Sequence, residues 1–191
     1  MYFKQPFRQT VIAVLCYFAC VGIAVGIDLG LLGVRNMYNT PALSALFAGW
    51  VYIRLIQKTQ RFGPILALGA FMSIFFFTSG HFILAALPNL LAAILAELIA
   101  GSAHYKSSGR NLLSYMVFSL GNLAPIVTMW LAPKAYTAQL LAKGKSQTYI
   151  DQVMVPASGQ HLLVLFGGTL LAAAIGYLLA HRWLHRFSAT Q

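Results

Sequence analysis

Apolar runs of roughly twenty residues recur along the whole chain, and that is about the length an α-helix needs to cross bilayer hydrocarbon. Inside hydrocarbon every backbone polar group has to find an internal partner, so only helices and closed barrels span it. Segments of alternating polarity, the mark of a barrel strand, are absent, which argues against a barrel. Composition agrees: 59% of residues are hydrophobic and 8% are charged, against roughly a quarter charged in a soluble domain. The expectation is an all-α integral membrane protein forming one transmembrane domain over residues 1–191. Its six spans lie near 9–31, 42–57, 64–80, 83–101, 111–132 and 159–181. Little chain is left over for a soluble catalytic or ATP-binding domain.

The net charge of +10 comes from 13 Lys and Arg against 3 Asp and Glu. In a soluble protein such an excess points to nucleic acid. Here the bases flank spans, where they set topology and meet anionic lipid. With the N-terminus in the cytoplasm, the inner segments carry Lys4, Arg8, Arg54, Lys58, Arg61, Lys106, Arg110, Arg182 and Arg186. The outer segments carry Arg35, Lys134, Lys143 and Lys145. Nine against four fits the positive-inside rule, with both termini cytoplasmic. The first apolar run lacks an A-x-A-like exit and is too long for a signal peptide, so it reads as a retained helix.

Polar residues inside spans are the candidates for function. Asp28 lies near the outer end of span 1, either as an interfacial acid or in a ligand site. Glu97, near the inner end of span 4, is placed to pair with Lys106 or Arg110 or to carry a proton. Asn122 sits in mid-span and needs a partner in the bundle or a cavity. Pro88-Asn89 is positioned to kink span 4. Of Phe75, Phe76 and Phe77, at least one must face lipid. His81 ends span 3. His181 and His185 are four residues apart with no third ligand nearby, so a metal site is not expected. The loop 133–158 is the longest non-span segment, with short interfacial helices expected near 135–142 and 148–155. Span 1 carries small residues at four-residue spacing on two stripes, Cys16, Cys20 and Ala24, and Gly22, Gly26 and Gly30. Such stripes let another helix approach closely, from within the chain or from a partner. A disulfide between Cys16 and Cys20 inside one helix has poor geometry.

The segment Lys106-Ser-Ser-Gly-Arg-Asn-Leu-Leu-Ser-Tyr-Met-Val-Phe-Ser-Leu120, followed by Trp130, Ala135-Tyr136 and a polar run to Tyr149, resembles the MptD-type (Trep_Strep) integral membrane family. Thr78-Ser79-Gly80-His81 and Ala96-Glu97-Leu98-Ile99 are similar to the same pattern. The resemblance spans nearly the whole chain. It implies a substrate-binding S component of an energy-coupling factor transporter, in a bacterial or archaeal cytoplasmic membrane. Such a subunit has six helices, captures a vitamin-like micronutrient outside, and docks on a T component bound to two ABC ATPases. Docking uses small residues of the first helix in an Ala-x-x-x-Ala pattern. The matching candidates are Cys16, Cys20 and Ala24, or Gly22 and Gly26. The outer-face ligand site implied by the resemblance maps onto Asn36, Tyr38, Asn39, His81, Asn122, Trp130 and Tyr136.

The chain has no G-x-x-x-x-G-K-[ST] motif, so active transport would take its ATP from a partner. No cofactor is expected. A stand-alone secondary transporter or channel is the runner-up, although no internal repeat is evident. A membrane enzyme ranks lower, because the three acids fall in separate segments. Aromatic and amide residues at the outer face favour a planar or polar organic ligand over a cation.

Overall fold

The computed structural model describes residues 4–33, 36–78 and 83–188, and every regular element among them is a helix. Helix α1 (Lys4–Gly26) runs on through a π-helical turn at Ile27–Leu31. Helices α2 (Thr40–Phe47) and α3 (Gly49–Thr59) are one rod broken at Ala48. Then come α4 (Pro64–Thr78) and α5 (Ala86–Gly101), the latter preceded by a 3₁₀ turn at Ile83–Ala85. Helix α6 (Ser108–Leu120) passes through a 3₁₀ turn, Gly121–Leu123, into α7 (Ala124–Leu131). Two short helices follow, α8 (Pro133–Ala142) and α9 (Gln147–Val153). The chain ends in α10 (Gly159–Leu162), a π turn at Leu163–Gly167 and α11 (Gly168–Ser188).

Among the described residues three helical stretches are long and apolar enough to cross a membrane: Gln5–Leu31, Ser108–Leu131 and Gly159–Leu184. Pro64–Thr78 and Ala86–Gly101 are apolar but shorter. The α6–α7 stretch is mostly buried, and the two terminal stretches are mostly exposed, so α6–α7 runs through the middle. Helices α4, α5 and α6 pack in sequence order, and α11 closes against α6, α2 and α3. Helix α1 packs on α2, α3 and α4.

Helix α5 shows how the sequence encodes this packing. Its large residues Leu87, Leu91, Leu95 and Leu98 are exposed, whereas Asn89, Ala93, Ala96, Glu97 and Ala100 are buried. That inverts the pattern of a soluble helix: small and polar residues face the neighbours, and Leu faces outward. Close approach is most demanding at Gly49 and Gly176. A Cβ on Gly49 would lie 2.5 Å from the Gly176 carbonyl carbon, and one on Gly176 would meet the Leu46 and Ala45 carbonyl oxygens. Only glycine lets α11 cross the α2–α3 junction there.

Polar side chains tie the helices together inside the apolar bundle. Ser114 donates to the Ala96 carbonyl at 2.6 Å and accepts from Tyr52 at 2.7 Å. Tyr115 donates to the Ala45 carbonyl. These bonds join α3 and α5 to α6, and α6 to α2.

Three expectations are corrected. Pro88 lies in the first turn of α5, directly after the 3₁₀ turn Ile83–Ala85, so it marks where the α-helix begins rather than a kink in mid-helix. Glu97 makes no ion pair with Lys106 or Arg110. It is fully buried, accepts from Tyr105 Oη at 2.7 Å, and accepts from the Leu66 N–H at 2.9 Å. It therefore caps the first turn of α4. The stripe Cys16, Cys20 and Ala24 turns into the bundle: Cys20 and Ala24 are buried and Cys16 packs against the core. Gly22 and Gly26 lie on the opposite, exposed side, with open space where a Cβ would be. The four-residue period is real on both stripes, but period alone does not say which one faces inward.

Candidate functional site

One end of the bundle holds a cavity of about 440 Å³, within the range of small-molecule pockets. Its floor comes from the C-terminal half of α1 (Val21, Val25), the start of α2 (Thr40, Pro41, Ser44) and the end of α4 (Phe75, Phe76). The broken span contributes Asn122, Pro125, Ile126 and Met129. Asn36 and Met37 edge it from the loop before α2, and α8, α9 and the turn between them cover it.

Asp28 builds the loop edge. The π turn places this fully buried carboxylate beneath the loop. Oδ2 accepts from the Asn39 N–H (2.9 Å), the Thr40 N–H (2.7 Å) and the Thr40 hydroxyl (2.8 Å), and Oδ1 accepts from Asn39 Nδ2 (2.9 Å). Asp28 thus caps α2 from another helix and holds Asn39 and Thr40 in one place. Asn36 Oδ1 accepts from the Tyr38 N–H at 3.2 Å, folding the loop into an Asx turn. Asp28 acts here as a scaffold residue of the cavity edge.

The break in α6–α7 sets Asn122. Gly121 lets α5 approach closely there: a Cβ would lie 3.0 Å from Asn89 Nδ2 and 3.3 Å from Asn89 Cα. Asn122 is buried, and its Nδ2 donates to Tyr17 Oη at 2.9 Å. Its side chain therefore stands on the cavity wall in a set orientation.

Ser44 is one of three described residues with a buried, unpartnered polar atom, beside Asn111 and Thr169. It is fully buried and lines the cavity, and its Oγ has no hydrogen-bond partner. An unmet hydroxyl in an apolar bundle costs on the order of 1–3 kcal/mol unless a ligand or water satisfies it.

The cover is cationic and aromatic. Lys143 and Lys145 line the cavity, and Lys145 Nζ stands 4.9 Å above the Tyr149 ring. Tyr136 also lines it. Burial, and then the neighbouring Tyr149, push the Tyr136 phenol above its ordinary pKa, so it remains a neutral O–H at working pH. No Asp or Glu is among the lining residues.

Of the residues anticipated from the sequence, Asn36, Asn122 and Tyr136 come together on this cavity. Three others support it from behind. Asn39 is bound to Asp28, and Tyr38 packs edge-on against His161 with ring centroids 5.7 Å apart. Trp130 Nε1 donates to the Val155 carbonyl at 3.0 Å, tying α7 to the strand-like segment after α9. His81 lies outside the described residues, as does Arg35. Missed as site residues were Thr40, Ser44, Phe75, Phe76, Met129, Lys143, Lys145 and Tyr149. The signal for Ser44 was a lone hydroxyl in an apolar run; for the lysines it was two bases in a loop long enough to fold back.

A second hollow of about 260 Å³ opens at the other end of the bundle, lined by Gln57, Lys106, Asn111 and His181 among others. Among the described residues no three His, Cys, Asp or Glu side chains converge into a metal site.

No curated protein and no solved structure matches the chain. A family model described as "hypothetical bacterial integral membrane protein (Trep_Strep)" matches residues 7–189. That covers nearly the whole chain, and the protein belongs to this family of bacterial integral membrane proteins.

Proposed function

We propose that this protein is the substrate-capturing membrane subunit of an energy-coupling factor importer. It has six spans, with α2–α3 acting as one, and sits in the bacterial cytoplasmic membrane with both termini inside. The positive-inside count then puts the 440 Å³ cavity on the outer face. A small organic micronutrient enters beneath α8 and α9, and its polar groups bind Asn122, Asn36 and Tyr136. The observation that carries the reading is a ligand-sized cavity at one end of the bundle that gathers Asn36, Asn122 and Tyr136 on its wall. The chain captures and passes its ligand without chemistry on it. A T component with two ABC ATPases supplies the energy and docks on the exposed α1 face around Gly22 and Gly26, where no neighbouring atom fills the Cβ position.

A stand-alone transporter is the second reading. The interruptions at Ile27–Leu31, Gly121–Leu123 and Leu163–Gly167 favour it, because broken helices mark the sites of many secondary transporters. One experiment separates the two. The tagged protein is purified from its native membrane, and ligand uptake is followed in liposomes with and without ATP. Co-purification of a membrane partner with two ATPases, and uptake that needs both, supports the importer; Gly26→Leu should then break the complex while leaving the isolated subunit folded. Uptake by the protein alone, driven by an ion gradient, sinks the importer reading.

A further inference from the structure

The hollow at the far end of the bundle from the cavity is polar, cationic and built from fixed parts. The turn after α5 brings Lys106 to it. That turn is pinned: Asn111 Nδ2 donates to the Tyr105 carbonyl at 2.9 Å, and the Lys106 N–H donates to the Ala103 carbonyl at 3.0 Å. Gln57 and Gln60, at the end of α3, add amide groups. Ser108 and His181 line the hollow as well, with Oγ and Nε2 3.2 Å apart. Tyr177 donates to the Ser108 carbonyl at 3.3 Å and stacks on the His181 ring, which sets α11 against the start of α6. Lys106 is exposed, and among the described residues its ammonium has no ion-pair or hydrogen-bond partner. No Asp or Glu lines the hollow. Of the three acids in the chain, Glu97 is the one at this end, and it is fully buried and bonded to Tyr105 and to the Leu66 N–H. Apolar surface adjoins the polar groups. Leu178 and Trp183, three residues before His181 and two after it, are exposed, as is Phe62, two residues beyond Gln60.

We propose that this hollow holds the phosphate headgroup of an anionic membrane phospholipid. The phosphodiester meets the Lys106 ammonium and the amide N–H groups of Gln57 and Gln60. The acyl chains run along the exposed leucine and aromatic side chains beside it. Basic pockets between helices at a membrane surface take up anionic head groups in this way. Lys58, Arg110 and Arg182, exposed on the same ends of α3, α6 and α11, draw such lipids towards the site. With both termini inside, the headgroup belongs to the cytoplasmic leaflet. The site is separate from the ligand cavity and stands whether or not the importer reading does.

The test uses the full chain in neutral detergent micelles and three probes: dioctanoylphosphatidylglycerol, dioctanoylphosphatidylcholine and inorganic phosphate. Bound lipid is counted by native mass spectrometry, and the melting temperature is followed in parallel. The glycerol lipid should be retained in preference to the choline lipid. Lys106→Gln should weaken it by about fivefold, the effect of one basic residue at an anionic surface, and leave the choline lipid unchanged. Lys58→Gln removes an exposed charge outside the hollow and should keep the preference. Gln57→Glu sets a carboxylate against the phosphate and should abolish it. All three positions are exposed, so each variant should melt with the parent in lipid-free micelles. Equal retention of the two lipids by the parent, or equal losses in Lys106→Gln and Lys58→Gln, would overturn the proposal in favour of diffuse surface charge. Displacement of the glycerol lipid by inorganic phosphate at equal concentration would overturn it too, because the site would then take a free phosphate.

Discussion

Replacing Asp28 tests whether the cavity edge is held by one buried carboxylate. Four donors converge on it: two backbone N–H groups, one amide and one hydroxyl, at 2.7–2.9 Å. A hydrogen bond to a charged group is worth about 1.5–3 kcal/mol net, so independent bonds would sum to about 6 kcal/mol or more. They are not independent, since both donors of each residue move together. Burial of the carboxylate also costs several kcal/mol that the substitution removes. Counting each residue once leaves about 3 kcal/mol lost in Asp28→Ala. Asp28→Asn keeps one acceptor but loses the charge and sets an amide N–H against Asn39 Nδ2, so it should lose somewhat less. The assay is unfolding in mixed micelles, combined with amide exchange at Asn39. The Asn39 N–H has Asp28 as its acceptor, whereas the Thr40 N–H has a second one at Met37 O, 3.2 Å away. A local loss of about 3 kcal/mol speeds exchange at Asn39 by about a hundredfold. If Asp28→Ala unfolds within about 1 kcal/mol of the parent and Asn39 keeps its protection, desolvation cancels the contacts and the clamp is not what orders the loop.

Two further substitutions probe the bundle. Gly176→Ala drives a Cβ into the Ala45 and Leu46 carbonyls, which should cost about 1–3 kcal/mol or more because backbone cannot give way locally. Gly22→Ala, on open surface, should be neutral or gain up to about 1 kcal/mol of helix propensity; equal losses at the two sites in the same unfolding assay would refute the packing. Tyr105 provides a pH test: burial, and then Glu97, raise its phenol pKa in the folded protein. Its proton is thus held more tightly in the folded state, so its contribution is complete below the ordinary phenol value of about 10 and fades as pH climbs above it. Tyr105→Phe should lose about 1–3 kcal/mol at neutral pH by stranding Glu97, and should flatten that alkaline fall in stability; an unchanged pH profile would show that Tyr105 is not the group responsible.

The helices were legible because hydrophobic length and Gly–Pro punctuation are local properties. Pro64 stands at a helix start that the chain itself announces, whereas the helix expected from about 111 starts earlier, behind the Ser107 cap. The short helices over the cavity were legible from the amphipathic character of 135–142 and 148–155, and they form as Pro133–Ala142 and Gln147–Val153. Facing direction was not legible. In a soluble helix apolar residues mark the buried side, but here lipid removes that contrast, and both stripes of α1 read as small and apolar. Only the packing of α1 against α2, α3 and α4 distinguishes Ala24, fully buried, from Gly22, exposed. The roles of the acids were illegible for a related reason. Glu97 is next to basic residues in sequence, yet its partners are a phenol eight residues on and a backbone N–H thirty-one residues back.

Both buried acids turn out to do the same work at opposite ends of the molecule. Asp28 caps α2 and Glu97 caps α4, each reaching across from a different helix. A helix that begins inside an apolar bundle leaves its first N–H groups without water, and a carboxylate from a neighbour satisfies them and complements the helix dipole. This logic separates scaffold from site. A polar group whose hydrogen bonds are complete is structural, however unusual its position in a span. By that criterion the charged residues that stood out in the sequence, Asp28 and Glu97, are scaffold. Ligand recognition is then to be sought on the cavity wall itself, at Asn36, Asn122 and Tyr136 beneath the α8–α9 cover.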